Sequence, residues 1–409
     1  MGINGFFKFL KDKKGLLPST ISLKDFRNER IAIDFSIWMY SIHSNALSII
    51  MNGMGIDVIF TDIDHDKVYK EFLIGSLKFI EEWKSHGVTP IFVFDGTAPI
   101  EKKDTREKRK IDRAKNDLKL ANKKAELNGL ADNFKDVLDI SHADLEEFKQ
   151  LSKNSIKMRY EDIGKFRKFL TDLGIPNLQA KTEAEKLCSM LCIEGVAKTT
   201  LSTDSDNFIF GCPLLLTGFH KKERDQNGSL VPIYLCYTLE SILEKMEMTH
   251  VELIILAITS GCDYNKNIPN LGIGRAWPLV KQHGSVENFP KKYDTTCLNY
   301  EVCRRLFMYE TSESLIDDGF VDFNIGTYLK QGKETLFEAG LEEYMEKMPE
   351  FTNNVPWFGF NTRYDRSSDK IYYTKREKPT GIDYLDSDEE EDLTNFVSPE
   401  KEEEEDETL

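Results

Sequence analysis

The stretch TPIFVFDG, residues 89–96, gives the clearest indication of the fold. Its β-branched and aromatic residues run without a break into Asp95 and a glycine, which is typical of a buried strand that ends in a turn. Two other short runs also end in carboxylates. These are Ile31–Ile33 before Asp34 and Thr199–Thr203 before Asp204. Helical patterns separate the runs, so the sequence predicts an α/β fold with a mostly parallel central sheet flanked by helices.

Carboxylates also flank two of the predicted helices. Thr182 and Glu185 form a capping box for the helix predicted over Ala184–Glu194, but this motif leaves Glu183 unexplained. Asp263 follows an apolar helical pattern. Sites in open α/β sheets form beyond the carboxyl ends of the strands, so we expect these groups to converge there. The candidate set comprises Asp34, Asp95, Glu183, Glu185, Asp204, Asp206 and Asp263.

Seven carboxylates at one edge repel one another, and divalent cations neutralise such a set. Mg²⁺ prefers carboxylate and water oxygens, and paired Mg²⁺ ions catalyse phosphoryl displacement. A calcium-binding loop is the competing interpretation. It fails because the segment that begins at Asp204 has Ile209 where the loop requires glycine. The sequence therefore predicts a two-metal Mg²⁺ centre.

A basic stripe begins seven residues after Asp95. Its members are Lys102, Arg106, Arg109 and Arg113. On a helix this spacing places them within a sector of about 60°. A solvated charged face is the ordinary explanation of such a run. Beside a carboxylate–metal centre, however, fixed cations would stabilise the charge that develops on a phosphate in its transition state.

The composition excludes several classes of protein. Of the 409 residues, 40% are hydrophobic and 30% are charged, which is ordinary for a soluble globular protein. The longest aliphatic run, Leu253–Ile258, is too short to cross a bilayer. The seven cysteines include no CxxC pair, so we expect neither a disulfide framework nor a zinc site.

The net charge of −16 is distributed unevenly along the chain. Residues 383–409 carry −13 of it, whereas residues 101–125 carry +6. We divide the sequence into five regions. They are an N-terminal region 1–98, a helical arch 99–160, an internal region 161–285 with a hairpin at 268–285, a C-terminal folded region 286–380 and an acidic, low-complexity tail 381–409.

Together these features resemble the structure-specific 5′ nucleases, and most closely the flap endonuclease family of the XPG/Rad2 type. The resemblance covers about residues 1–285. It rests on an ordered set of motifs: MGINGFFKFL at 1–10, AID at 32–34, VFDG at 93–96, LGIP at 173–176, EAE at 183–185, TDSD at 203–206 and GCDY at 261–264.

The resemblance implies a PIN-like nuclease fold and a role for each matching residue. Asp34, Asp95, Glu183 and Glu185 would serve a first Mg²⁺ ion, and Asp204, Asp206 and Asp263 a second, with Mn²⁺ as a substitute. Lys102 and Arg109 match catalytic cations at the base of an arch, with Arg106 and Arg113 beside them as DNA contacts. Tyr40 matches an aromatic residue that stacks on a base. Gly261, Gly272, Gly274 and Arg275 match DNA-backbone contacts, the last three in a helix-hairpin-helix that often binds K⁺.

Two departures from the family pattern stand out. Asn270 replaces the first glycine of the hairpin, and Gly274 occupies a position that is usually basic. Residues 41–66 are rich in Ile and Met, and the arginine expected near Leu47 is missing. We therefore expect the hairpin grip and the junction wedge to differ from the family pattern.

The function implied is a Mg²⁺-dependent 5′ flap endonuclease and 5′ exonuclease that cuts branched or flapped DNA, with RNA-containing flaps not excluded. A Holliday-junction or bubble-cutting relative, an RNA 5′-exonuclease and a non-catalytic DNA-junction binder remain as alternatives. We expect a monomer in the nucleus, or at a cytoplasmic replication site, with no membrane partner and no sliding-clamp-binding box near the C-terminus.

The acidic tail generates a first prediction. Deleting residues 383–409 should tighten binding to plain duplex DNA and steepen its salt dependence, because the tail competes with phosphates for basic side chains. The cleavage rate of a bound flap should not change, since no candidate ligand lies in the tail. Salt titrations of the full chain and residues 1–382 measure this. Superimposable curves would leave only a solubility tail or a docking strip for a basic partner.

Overall fold

A seven-stranded sheet forms the centre of the computed structural model, which describes residues 2–3, 5–133, 140–308, 325–353, 360–365 and 370–375. The predicted tail, 381–409, lies outside these residues. The strands are β1 (Ser19–Ser22), β2 (Arg30–Asp34), β3 (Thr89–Phe94), β4 (Asn177–Gln179), β5 (Thr199–Leu201), β6 (Leu214–Arg224) and β7 (Leu230–Thr238). A separate pair, β8 (Phe360–Asp365) and β9 (Lys370–Lys375), is antiparallel.

The order across the sheet is β1-β7-β6-β5-β2-β3-β4. The four pairs from β6 to β4 are parallel, and the two pairs that involve β7 are antiparallel. The mostly parallel α/β architecture is thus confirmed. All six residues of β3 are buried, which is why TPIFVF forms an unbroken apolar run: a strand covered on both faces has no polar side.

The sheet has helices on both faces, and the chain contains further helices outside these layers. In chain order, the helices are α1 (Phe6–Lys14), α2 (Phe35–Met54), α3 (His65–Ser85), α4 (Lys103–Asn133), α5 (His142–Ser155), α6 (Tyr160–Asp172), α7 (Ala184–Ile193), α8 (Asp206–Ile209), α9 (Leu239–Met246), α10 (His250–Ser260), α11 (Ile273–His283), α12 (Tyr300–Phe307), α13 (Ile325–Glu338) and α14 (Met348–Asn353). Of these, α2, α3 and α6 lie on one face of the sheet and α7 lies on the other. Within the described ranges, no helix is both long enough and apolar enough to cross a membrane.

Three apolar cores hold the layers together. The first packs aromatic side chains of α2, α3 and α6, among them Trp38 and Phe166, against Phe92 of the sheet. The second packs α10 and the hairpin helix α11 against α1, with Leu256 fully buried. The third packs α7, including Leu187, against Ile91 on the other face of β3. The helix of the predicted hairpin, α11, thus packs against α1 and α10, and α4 and α5 lie within residues 99–160, the segment predicted to be an arch and termed the arch below.

The long hairpin of β6 and β7 is absent from the sequence interpretation. Beyond Phe219 the exposed run HKKER carries five polar residues in succession, so it lacks the alternation that marks a half-buried strand. The two strands are joined at Asp225–Ser229, where Asp225 Oδ1 accepts hydrogen bonds from the N–H groups of Asn227 and Ser229. Turn chemistry and backbone pairing maintain this strand pair where its side chains leave the core.

A buried lysine side chain affects the pH dependence of the folding stability. Lys84, in the last turn of α3, is 4% exposed, and among the described residues its ammonium has no hydrogen-bond partner. Burial disfavours the charged form and lowers the pKa of Lys84 to about 7. Between pH 7 and about 10.4, the unfolded chain therefore binds a proton that the folded chain lacks, and folding stability rises with pH across that window.

This generates a second prediction. Lys84→Met should raise the free energy of unfolding at pH 7, because each pKa unit of the shift corresponds to about 1.4 kcal/mol of destabilisation. The gain should disappear as the pH approaches 10. Urea unfolding at pH 7 and pH 9.5 measures both effects. Lys78→Met is the matched control, since Lys78 is exposed on the same helix. Equal stability changes in the two variants would contradict the assignment.

Candidate active site

Strand ends bring three candidate carboxylates to one edge of the sheet. Asp34 is the last residue of β2, Asp95 follows β3 directly, and Asp204 lies three residues beyond β5. The parallel registers pair Asp34 with Val93 and Ile33 with Leu201, so the three strands end side by side. Neighbouring parallel strands must end at the same edge, which is why the sequence pattern alone could predict this cluster.

Helix ends add the other four. Glu183 is the N-cap residue of α7, Glu185 lies in its first turn, and Asp206 begins α8. Asp263 follows α10 through Gly261, whose φ of 92° ends the helix in a conformation that favours glycine. The capping box predicted between Thr182 and Glu185 is not formed, because the N-cap residue is Glu183 and its side chain makes no capping hydrogen bond.

Five of the seven carboxylates are unusually buried for charged groups, whereas Asp95 is exposed and Asp263 is half-buried. The exposed fractions are 2% for Asp34, 6% for Glu183, 8% for Glu185, 1% for Asp204 and 4% for Asp206. Burial, reinforced by the charges of Asp95 and Asp204, raises the pKa of Asp34 to about 7. Burial likewise raises the pKa values of Glu185, Asp204 and Asp206, with neighbouring carboxylates adding to it. Such shifts are typical of functional sites.

Hydrogen bonds hold the side chains of Asp34 and Asp95, two of the four carboxylates assigned above to the first Mg²⁺ ion. Ser202 Oγ donates to Asp34 Oδ2 at 3.0 Å, and Asp34 also caps α2 through the N–H of Ile37 at 3.4 Å. Ser36 Oγ donates to Asp95 Oδ2, and the N–H of Ala184 donates to Asp95 Oδ1 at 2.9 Å. Asp95 therefore connects the start of α2 to the start of α7.

Two glycines allow close approach at this edge. A Cβ on Gly96 would lie 2.0 Å from the carbonyl oxygen of Ala180. A Cβ on Gly2, whose φ is 80°, would lie 2.4 Å from Asp204 Oδ1. Only glycine fits either position. At Gly2 the N-terminal segment therefore packs directly on Asp204 and Asp206, two of the carboxylates assigned to the second ion.

Two cations of the basic stripe pair with the carboxylates. Lys102 Nζ donates to Glu183 Oε1 and lies 3.2 Å from Asp263 Oδ2, while Arg109 donates to that same Asp263 oxygen at 2.7 Å. Lys102 lies in a short 3₁₀ turn, Ile100–Lys102, rather than in α4 as the spacing implied. The other oxygen of Glu183 accepts a hydrogen bond from the hydroxyl of Tyr264, which is 5% exposed.

A cavity of about 560 Å³ lies between α4 and four of the carboxylates, those of Asp34, Asp95, Glu183 and Glu185. It is lined by Asp34, Ser36, Ile37, Asp95, Gly96, Ala98, Lys102, Lys103, Arg106, Glu107, Arg109, Lys110, Arg113, Thr182, Glu183 and Glu185. All four members of the basic stripe face it. A larger cavity of about 820 Å³ is lined by Pro213 and residues 238–252 and includes no candidate site residue. Size alone would therefore point to the wrong place.

Asp204, Asp206 and Asp263 do not line this cavity, and the DNA-binding candidates outside the basic stripe also lie away from it. Tyr40 is 57% exposed on α2, so its ring is accessible to a ligand. Gly272 is the N-cap residue of α11 and Gly274 lies in its first turn, with open space beside both. Arg275 is exposed and donates to the carbonyl of Asn270 at 3.0 Å. Asn270 adopts a φ of 63°, so it takes the left-handed conformation for which glycine was expected.

The sequence interpretation missed the groups that support the carboxylates. Ser36, Ser202 and Tyr264 each donate to one of them. Each lies within two residues of a candidate aspartate, which is the only signal that the sequence carried. In the described part of the chain, no three His, Cys, Asp or Glu side chains already form a group that could hold one ion, and Lys102 lies between two of the candidates.

Two family models match the chain in order. The model of the XPG N-terminal domain matches residues 1–116, and that of the XPG I-region matches residues 174–263. Flap endonuclease 1 of Leishmania major is 29% identical over 296 residues, which are 72% of this chain and 68% of that protein. Flap endonuclease 1 of Glycine max is 27% identical over 314 residues, 75% of this chain and 74% of its own.

Solved structures agree in fold. The catalytic core of Rad2 in complex with DNA substrate has a TM-score of 0.51 at 18% identity, and covers 85% of this chain and all of its own. Flap endonuclease-1 from Methanococcus jannaschii has a TM-score of 0.50 at 20% identity, over 83% of this chain and 97% of its own. The two matched models together span half of the sequence and include every predicted metal ligand, so the chain belongs to the XPG family of structure-specific nucleases.

Proposed function

We propose that this chain is a divalent-metal-dependent 5′ flap endonuclease with an associated 5′ exonuclease activity on DNA. The observation that carries the proposal is a cavity that has the carboxylates of Asp34, Asp95, Glu183 and Glu185 on one side and the basic stripe on the other. That pairing suits hydrolysis of a phosphodiester, whose charge increases in the transition state. The relatives named above as flap endonucleases support the same substrate class.

The carboxylates fit a pair of hard divalent cations. Asp206 Oδ1 is buried and has no hydrogen-bond partner among the described residues, so this oxygen is available as a metal ligand. Asp34, Asp95, Glu183 and Glu185 would hold one Mg²⁺ ion, and Asp204, Asp206 and Asp263 a second, with Mn²⁺ as a substitute. Bound there, the metals supply Lewis-acid activation of water and of the phosphate.

The side chains of this protein perform the remaining work. Lys102 and Arg109 reach the carboxylates from the arch, so either can contact a phosphate held at that edge. Arg106 and Arg113 extend the cationic surface along α4 toward the rest of the strand. The exposed ring of Tyr40 provides a stacking surface for an unpaired base. Hydrolysis leaves a 5′-phosphate and a 3′-hydroxyl.

The hairpin provides the contact to duplex DNA. The N-terminus of α11 presents backbone N–H groups at Gly272 and Gly274, a geometry that suits a phosphate, and Arg275 adds a charge there. K⁺ is a candidate ligand of the loop before this helix, and Gly261 a further backbone contact. We expect a nuclear monomer. No sliding-clamp-binding box is visible near the C-terminus, and RNA-containing flaps remain candidate substrates.

A substrate panel tests the proposal. End-labelled flap, nicked, bubble and four-way DNA are incubated with enzyme in excess, with and without Mg²⁺. Preferred cutting of the flap near its junction supports the proposal. Preferred cutting of the four-way junction or bubble would favour the junction-resolving alternative, and binding without cutting would favour the non-catalytic one.

The metal ligands generate a third prediction. Asp204→Ala should nearly abolish cleavage while flap binding is retained, because a lost metal ligand costs transition-state stabilisation and Asp204 is too buried to contact DNA. The variant should melt no lower than the parent in chelator, since it removes one of several buried like charges, which outweighs the lost hydrogen bond from the N–H of Asp206. Single-turnover rates and binding curves measure this, with the exposed Asp12→Ala as control. A rate within about tenfold of the parent would refute the assignment.

The basic stripe generates a fourth prediction. Lys102→Ala and Arg109→Ala should each slow the chemical step by about 10²–10³, the usual cost of a preorganised charge, with smaller changes in the dissociation constant for DNA. Lys115→Ala is the matched control, because Lys115 lies on α4 but pairs with Asp112 at the surface. If both variants raise only the dissociation constant, the two cations serve docking alone.

A further inference from the structure

One face of α4 changes its chemistry halfway along the helix. Arg109 and Arg113 line the cavity, whereas Leu120 and Leu127 follow Arg109 by 11 and 18 residues, about three and five full turns. The same face is therefore cationic near the carboxylates and apolar at its far end. Leu127 is fully buried. A solvated charged arch would have no reason to bury a leucine there.

The apolar end of α4 belongs to a core that includes the segment joining α2 to α3. Leu127 shares this core with Phe148 of α5 and with Met51, Val58 and Ile59. The backbone of α4 contacts the 3₁₀ turn Gly55–Ile59, and α5 contacts α2. Met51 and Ile59 are fully buried and Val58 is 2% exposed, so these side chains are not available to DNA while α4 and α5 lie on them.

Polar contacts cross the same junction. Lys149 of α5 is buried and donates to Asn52 Oδ1 at 3.0 Å. Lys124 of α4 lies 3.4 Å from Asp62, beyond the 3₁₀ turn. A buried ammonium needs such partners, and Asn52 supplies one from the opposite side of the junction. The hydrogen bond between Lys149 and Asn52 therefore stabilises the packing of α5 on α2.

We infer that residues 51–59, termed here the arch anchor, hold the far end of α4 and α5 on the nuclease body and thereby position Lys102 and Arg109 before DNA arrives. The inference rests on the proposed function. It explains the Ile- and Met-rich composition of 41–66 by packing against the arch, so these residues need not form a wedge that contacts DNA. From Arg109 to Leu127 the helix is about 27 Å long, so a small tilt at the anchor displaces the cations. Displacements of about 1 Å at a reacting centre cost about 10² in rate.

The first arm of the test loosens the anchor. Phe148→Ala removes an anchor contact, and Phe351→Ala removes an equally buried ring from α14, which packs on α3 and α13. Both should lower the melting temperature. Only Phe148→Ala should increase hydrogen exchange of the amides in 103–113 without DNA, and only it should slow single-turnover flap cleavage, by at least about tenfold. Equal exchange and equal rates in the two variants would overturn the inference.

The second arm closes the anchor covalently. Asn52→Cys with Lys149→Cys, in a Cys297→Ser background that removes the exposed thiol, allows a short bis-methanethiosulfonate reagent to join the two thiols across the junction through reducible mixed disulfides. Crosslinking should leave the cleavage of a flap with a free 5′ end unchanged and should restore the rate lost in Phe148→Ala; reduction should reverse the rescue. Loss of cleavage on crosslinking would mean that the arch must open and would overturn the inference. If no variant or parent cuts flaps, the exchange data still decide the anchor, while the proposed function fails.

Discussion

The burial of like charges at one edge of the sheet is the constraint on which the rest of the structure depends. Asp34, Glu185, Asp204 and Asp206 are almost excluded from solvent, and an isolated ionised carboxylate in such surroundings is very costly. Two local devices lower this cost. The pKa values rise, so that part of the charge is not formed, and hydroxyl groups such as that of Ser202 donate to the oxygens.

The third device is a pair of cations supplied by another element. Lys102 and Arg109 come from the arch and not from the sheet, and they are shared between Glu183 and Asp263. If Glu183 holds a divalent cation as proposed, the cation and Lys102 would share the oxygens of one carboxylate, and the ammonium of Lys102 would then be available to a phosphate. The hydroxyl of Tyr264 donates to the second oxygen of Glu183 and so orients that carboxylate.

The sequence was informative where a residue's local pattern and its tertiary surroundings agree. The strands that end at Asp34 and Asp95 are buried on both faces, so their apolar runs and terminal carboxylates could be recognised from short windows. The strands β6 and β7 could not, because their outer half has exposed polar side chains and depends on backbone pairing. The supporting groups Ser202 and Tyr264 were missed for another reason: a single hydroxyl has no pattern until its acceptor is located.

The composition of residues 41–66 illustrates the limit most clearly. Its Ile and Met residues looked anomalous because their partners, Leu127 and Phe148, lie some 70 to 100 positions away in the arch. Every carboxylate of the site is fixed by an element that packs on the sheet, whereas the two cations lie on α4 and the turn before it, whose near end is held by the hydrogen bond from the Thr105 hydroxyl to the carbonyl of Asp263. An element outside the sheet needs a second point of attachment to hold a charge steady at the catalytic edge. The apolar far end of α4 provides that attachment, so the core and the chemistry of this protein are connected through one helix.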